Sequence, residues 1–177
     1  VLDKTVTPMG SRKLKSWLVS PLIDKDMINK RLDAVEFFVN NYQLKENIRR
    51  MLKNVCDIHR ITSRAAMDSV TPRELLSLSK SLSIIPEIKH ELSKIGAEEI
   101  KKICEMESLN EIQKLINDSI TDDPPAVIRN GGVIKKGFSK ELDEMKNVIE
   151  KSREWLSQLE ENERRRTGIK KLRIGYN

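Results

Sequence analysis

Gly132-Val133-Ile134-Lys135-Lys136-Gly137-Phe138-Ser139 carries the glycine spacing of a phosphate-binding loop, but Phe138 stands where the lysine that reaches the phosphates must be. Without that charge the loop loses its main electrostatic anchor, and a glycine-rich connector ahead of a helix is the better reading. Cys56 and His59 lie three apart on a helical segment, a spacing that can share a metal. Zinc takes four ligands, and the remaining thiol and imidazole, Cys104 and His90, are distant and unpaired. A catalytic Cys–His pair has the same difficulty and lacks an orienting third group. Carboxylate pairs such as Asp122-Asp123 and Glu160-Glu161 are expected in a chain with 27 acids, and Asp123 before Pro124 reads as turn chemistry. No catalytic, cofactor-binding or metal-binding residue is predicted. One cluster remains. Arg164, Arg165, Arg166, Lys170, Lys171 and Arg173 are candidates for contact with DNA phosphates, a contact that gives salt-dependent affinity without reading sequence. Complementation of a helix dipole and solubility explain the arginines equally well.

Composition bounds the rest. The 177 residues carry a net charge of +6 and are 38% hydrophobic and 34% charged, which fits a folded chain rich in surface helix. Residues 1–70 hold 13 basic and 8 acidic groups, 71–138 hold 10 and 11, and 139–177 hold 10 and 8, so no segment is a dense polybasic tail. Seven aromatic residues are few for stacking on single-stranded nucleic acid. Two cysteines exclude a disulfide framework and point to a reducing, cytosolic setting. No apolar run has the length of a membrane span.

The elements that must position these residues are helical. Thr7-Pro8 starts a first helix with Leu14, Trp17 and Leu18 on one face, and Pro21 stops it. Asp24 caps a second, with Ile23 and Ile28 as its staple and Ile28, Leu32, Val35, Val39 and Tyr42 as its stripe. The rhythm continues through Ile48, Met51, Leu52 and Val55, then Ile58, Ile61 and Ala65. Thr71-Pro72-Arg73-Glu74 is a full capping box, followed by Leu75, Leu78, Leu82 and Ile85 on one face. Pro86 is expected to break or kink that helix, and Gly96 to close the next run. Ser108 and Glu111 repeat the box before Ile112, Leu115 and Ile116. Residues 121–138, with two prolines in tandem and three glycines, are not regular helix. From Ser139 to Thr167 the longest element follows, roughly 43 Å at the usual rise. Leu142, Met145, Ile149, Leu156 and Leu159 trace a near-heptad seam on it, and Gly168 ends it. Ile169, Leu172, Ile174 and Tyr176 then alternate like a short strand. That tail, and an opening Val1 in place of Met, lead us to expect a piece of a longer protein. The pattern divides the chain into a helical core over 1–138 and a long outgoing helix with its tail over 139–177.

Three stretches together resemble the core, or lever, domain of the MutS family of DNA mismatch-repair ATPases. They are Leu2-Asp3-Lys4-Thr5-Val6-Thr7-Pro8-Met9-Gly10-Ser11-Arg12 with Trp17-Leu18 and Pro21-Leu22; Asp57-Ile58-His59-Arg60-Ile61 with Arg64 and Thr71-Pro72-Arg73-Glu74-Leu75; and Asp123-Pro124-Pro125, Arg129-Asn130-Gly131-Gly132-Val133-Ile134, Gly137-Phe138, Leu142-Asp143-Glu144 and Arg166-Thr167-Gly168-Ile169 through Gly175-Tyr176-Asn177. His59, Asn130 and Phe138 depart from the family's usual acid, Asp and Tyr.

The resemblance implies an all-α, multi-helical lever with one long protruding helix and a strand-like tail that begins the clamp domain. It also implies that the chain is no enzyme by itself. It would be the part that couples a C-terminal ATPase to a DNA-gripping clamp in a DNA-dependent ATPase that binds mismatched duplex, its ATP and Mg2+ held in another domain. The implied partners are double-stranded DNA, a second MutS-type subunit and a MutL-type repair protein, in a bacterial or archaeal cytoplasm and not at a membrane. The seam would pack on a returning arm helix, and the isolated piece would self-associate through it. The competing reading is a free-standing helical adaptor that forms a coiled coil with a partner.

Overall fold

A computed structural model describes residues 2–95, 98–125 and 128–175. Among them it holds eight α-helices and no strand: α1 (Pro8–Val19), α2 (Lys25–Asn40), α3 (Tyr42–Leu52), α4 (Ile58–Ala66), α5 (Pro72–Leu92), α6 (Glu98–Glu105), α7 (Asn110–Ser119) and α8 (Lys140–Thr167), with a 3-10 turn at Ile128–Asn130. The all-α class expected from the periodicity is the observed one. Two compact units form, residues 1–134 and 135–177.

Local chemistry accounts for most helix starts. The side chains of Thr7, Asp24, Asp57, Thr71 and Ser139 each accept a backbone N–H of the first turn. At Thr71 the box is reciprocal: Glu74 also accepts the Thr71 N–H at 2.8 Å. That backbone N–H, ahead of the Thr71 hydroxyl and nearby arginines, holds the Glu74 carboxyl below its ordinary pKa.

In the first unit α5 is the central element, packing against α3, α4, α6 and α7. Ile61 of α4, Leu78 and Leu82 of α5, and Ile116 and Ile120 of and after α7 form the buried cluster. Removal of such side chains from water stabilises by about 1.5–3 kcal/mol each. An isolated antiparallel bridge joins Ile120 to Ile134, and the Thr121 N–H donates to Val133 C=O at 2.9 Å, which returns the glycine-rich loop to this core. Gly131 and Gly132 occupy left-handed backbone there, with φ of 71° and 74°.

Four features differ from the sequence-based expectation. Of the two outcomes expected at Pro86, the break does not occur: α5 runs through it. Both sides are anchored, since Leu78 and Leu82 enter the core before it while Ile88 and Leu92 line an apolar cavity with Ile103 and Met106 after it. This packing offsets a penalty of about 3 kcal/mol for proline inside a helix. The stripe that continues past Tyr42 hides a break at Asn41, whose backbone and side-chain nitrogens both donate to Phe37 C=O and terminate α2. The box at Ser108 does not form; α7 starts after Leu109 with no side-chain cap. After Gly168, residues 169–175 form no strand; Leu172 C=O and the Ile174 N–H are bonded instead to Arg164 and Glu160 of α8. Gly96 and Tyr176, assigned to a helix end and to that strand, lie outside the described residues. Among the described residues no helix is long and apolar enough to cross a membrane.

Candidate nucleic-acid interface and helix seam

The second unit is built on α8, which is capped at its N-terminus by Ser139, carries Glu141 and Asp143 in its first turn, and ends on Gly168 at φ 72°. Acids at the start and Arg164, Arg165 and Arg166 at the end both complement the helix dipole. The three arginines are already paired. Arg164 meets Glu160 at 3.0 Å, Arg165 meets Glu161, and Arg166 meets Glu163 at 2.8 Å. Glu163 raises the Arg166 pKa above its ordinary value. Arg164 Nε also donates to Leu172 C=O at 2.8 Å, and the Ile174 N–H donates to Glu160 Oε1 at 2.9 Å, so the tail lies along the last turns of the helix. Lys170, Lys171 and Arg173 are exposed on this tail and have no hydrogen bond or ion pair among the described residues. The six cations thus separate into three neutralised locally and three available to a polyanion.

The seam residues Leu142, Met145, Ile149, Leu156 and Leu159 share one stripe of α8. Leu142, Leu156 and Leu159 are half-buried, while Met145 and Ile149 are 56% and 53% exposed. The stripe is wider than five residues. Val148 and Trp155, seven apart, flank it at 63% and 61% exposure, and a shallow groove runs between them past Ser152 and Leu156. Their own seven-residue spacing was the sequence signal for this second edge. A face of this kind takes another helix by knobs-into-holes packing.

The other sequence candidates are dispersed. At the glycine loop, Gly137 adopts φ 91° and its N–H donates to Asp143 Oδ2 at 2.7 Å, so a carboxylate occupies a donor that a phosphate would need. With Phe138 in the lysine position, these residues do not fit ATP. The Cys56 N–H is bonded to Ser81 Oγ, and Cys104 Sγ donates to Lys89 C=O at 3.6 Å. No three His, Cys, Asp or Glu side chains converge on a metal site among the described residues.

The short motifs instead hold the helices to one another. Arg12 of α1 forms a two-pronged pair with Asp57, at 2.8 and 2.7 Å, across 45 residues of sequence. Asp57 simultaneously caps α4 through the Arg60 N–H. The Arg12 bonds, with that backbone bond, lower the Asp57 pKa from 3.8 to about 2. Arg64 joins Glu74 at 2.8 Å and Ser69 C=O, which ties α4 to the capping box of α5. Arg73 Nε donates to Pro124 C=O at 3.0 Å and so fixes the double-proline segment to α5. Such pairings across distant sequence carry fold-specific information.

The family model for MutS domain III matches residues 1–171. The DNA mismatch repair protein MutS of Caldanaerobacter subterraneus subsp. tengcongensis is 45% identical over 178 residues, which cover 100% of this chain and 20% of that protein. MutS of Caldicellulosiruptor bescii is 45% identical over 178 residues, covering 100% of the chain and 21% of the relative. MutS of Methanothrix thermoacetophila is 41% identical over 180 residues, again covering 100% and 21%. The chain therefore spans about a fifth of the length of the curated relatives it matches.

Proposed function

The chain belongs to the MutS family, whose domain III it matches, and from that premise we propose that it is the helical lever of a DNA mismatch repair protein. It carries no catalysis itself. It transmits a tilt between an ATPase in another part of the protein, which holds ATP and Mg2+, and a clamp that grips double-stranded DNA. The whole protein works as a dimer of MutS-type subunits with a MutL-type repair partner, in the cytoplasm.

The observation that carries this reading is α8. Its 28 residues are uninterrupted and capped at both ends. At the usual rise it is about 42 Å long, so a tilt of about 5° at one end displaces the other by about 4 Å. A rigid rod of that kind is a two-state element that both ends can bias. The apolar stripe of Leu142, Met145, Ile149, Leu156 and Leu159 is the surface for the returning arm helix. Lys170, Lys171 and Arg173 lead the contact with DNA phosphates, with Arg164, Arg165 and Arg166 behind them because each already has a carboxylate partner.

The test is a break in the rod. In the full-length protein containing this chain, Lys151→Pro removes a mid-helix hydrogen bond and costs about 3 kcal/mol of helix. Basal ATP hydrolysis is expected to persist, while ATP-driven release from mismatched duplex slows at least about tenfold, which corresponds to about 1.4 kcal/mol in the release barrier. Lys151→Ala leaves both unchanged. Release by Lys151→Pro at the normal rate would sink the lever reading.

A further inference from the structure

We infer that the groove walled by α1, α2 and α6 is a docking site for an acidic amphipathic helix. It encloses about 590 Å3. Its apolar floor follows α2 through Met27, Ala34, Val35 and Phe38 and is completed by Trp17 of α1 and Ile103 of α6. From Met27 to Phe38 the trough runs about 16 Å, three turns of a helix laid along it. Met27, Val35 and Ile103 remain 44%, 56% and 47% exposed, so this apolar surface is open within the first unit.

Cations line the trough: Lys13 and Arg31 stand on its walls, with Lys30 and Lys102 beside them. The Arg31 guanidinium lies 4.1 Å from the centroid of the Trp17 ring, so one charge is held against the floor by a cation–π contact. Trp, Arg and Met are the residue types that anchor protein interfaces, and Met adapts to different shapes. A helix with apolar residues at i, i+3, i+4 and i+7 fits the floor, and Glu or Asp on its flanks meets the walls. Electrostatic complementarity therefore selects the partner of the groove.

The probe is a synthetic amphipathic peptide of about 14 residues, long enough for four helical turns, with leucines on one face and glutamates elsewhere. Its twin carries lysine at every glutamate position. Trp155→Phe leaves Trp17 as the sole tryptophan of the chain. The acidic peptide is expected to shift Trp17 emission and to bind at least about tenfold more tightly than its twin at low ionic strength, with the gap closing as salt is added. Lys13→Glu, at an exposed position where folding is unaffected, narrows that preference, and Lys13→Glu with Arg31→Glu reverses it. Circular dichroism confirms that the variants keep their helix content. Equal binding of both peptides, absence of binding, or a preference unmoved by the reversals would each overturn the inference. So would displacement of the acidic peptide by a short DNA duplex, which assigns the groove to nucleic acid. Concentration-dependent dimerisation abolished by Val35→Asp would likewise overturn it, by assigning the groove to a second copy of the chain.

Discussion

Ser81→Ala removes a single oxygen from a residue that is 0% exposed. That oxygen accepts the Cys56 N–H at 2.9 Å and donates to Ser77 C=O, also at 2.9 Å. The second bond is dispensable because Ser77 C=O lies inside α5, where the helical ladder serves it. The first has no substitute: Cys56 precedes α4, and a methyl group cannot accept its proton. A part-buried donor left without a partner costs about 1–3 kcal/mol, and the better helix propensity of alanine returns about 0.5 kcal/mol. The net loss is about 0.5–2.5 kcal/mol, or a fall of about 1–10 °C in Tm for a chain of this size. Ser83→Ala is the matched control, since Ser83 sits on the same helix, is exposed, and makes the same kind of back-bond, to Lys80 C=O at 2.8 Å. It should change stability by less than about 0.5 kcal/mol. Urea titration followed at 222 nm measures both variants, and hydrogen exchange reports the Cys56 amide directly. If Ser81→Ala proves as stable as Ser83→Ala, or the Cys56 amide keeps its protection, the assignment of that bond as a tie between α4 and α5 is wrong.

Two further outcomes follow from charge. Arg12 depresses the Asp57 pKa from 3.8 to about 2, so the stability this pair contributes is present above pH 3.8 and lost as pH falls toward 2. Asp57→Asn should flatten that part of the acid limb of a urea-midpoint curve; Asp3, also held at about 2 by Ser11 and Thr5, keeps its own share of the slope. Acid limbs of identical slope in the two proteins would refute it. At the tail, Lys170→Ala with Lys171→Ala in the full-length protein should reduce the slope of log K against log salt for duplex binding by about 1.8, or 0.9 per phosphate contact. Arg165→Ala should change it little, because Glu161 already neutralises that charge; equal slopes for the two variants would remove the distinction.

Elements whose cause is local were legible in the residues. Thr7, Asp24, Thr71, Ser139 and Gly168 each act within a turn of their own position, so their roles follow from neighbours in sequence. Asp57 shows the opposite case. Its capping is local, but its partner Arg12 is 45 residues away and only the fold brings them together. Pro86 obeyed a tertiary cause, packing on both sides, over its own preference. Ser108 followed the right pattern without forming the cap, and Asn41 broke a stripe that hydrophobic spacing alone carries across. At the candidate site the arginine cluster was visible as composition. Its division into paired and available charges depends on glutamates one turn back adopting particular rotamers. The groove of Trp17 and Arg31 was not legible, since it requires α6 to lie beside α2.

The bonding of the tail sets a condition on whatever pairs with it. Leu172 C=O is held by Arg164 and the Ile174 N–H by Glu160, so the edge of residues 172–174 that carries these two groups is not open to a passing strand. A partner that pairs along that edge must displace two charge-assisted bonds and leave Arg164 and Glu160 only each other. Sheet formation on that edge is consequently an exchange reaction with the last turn of α8.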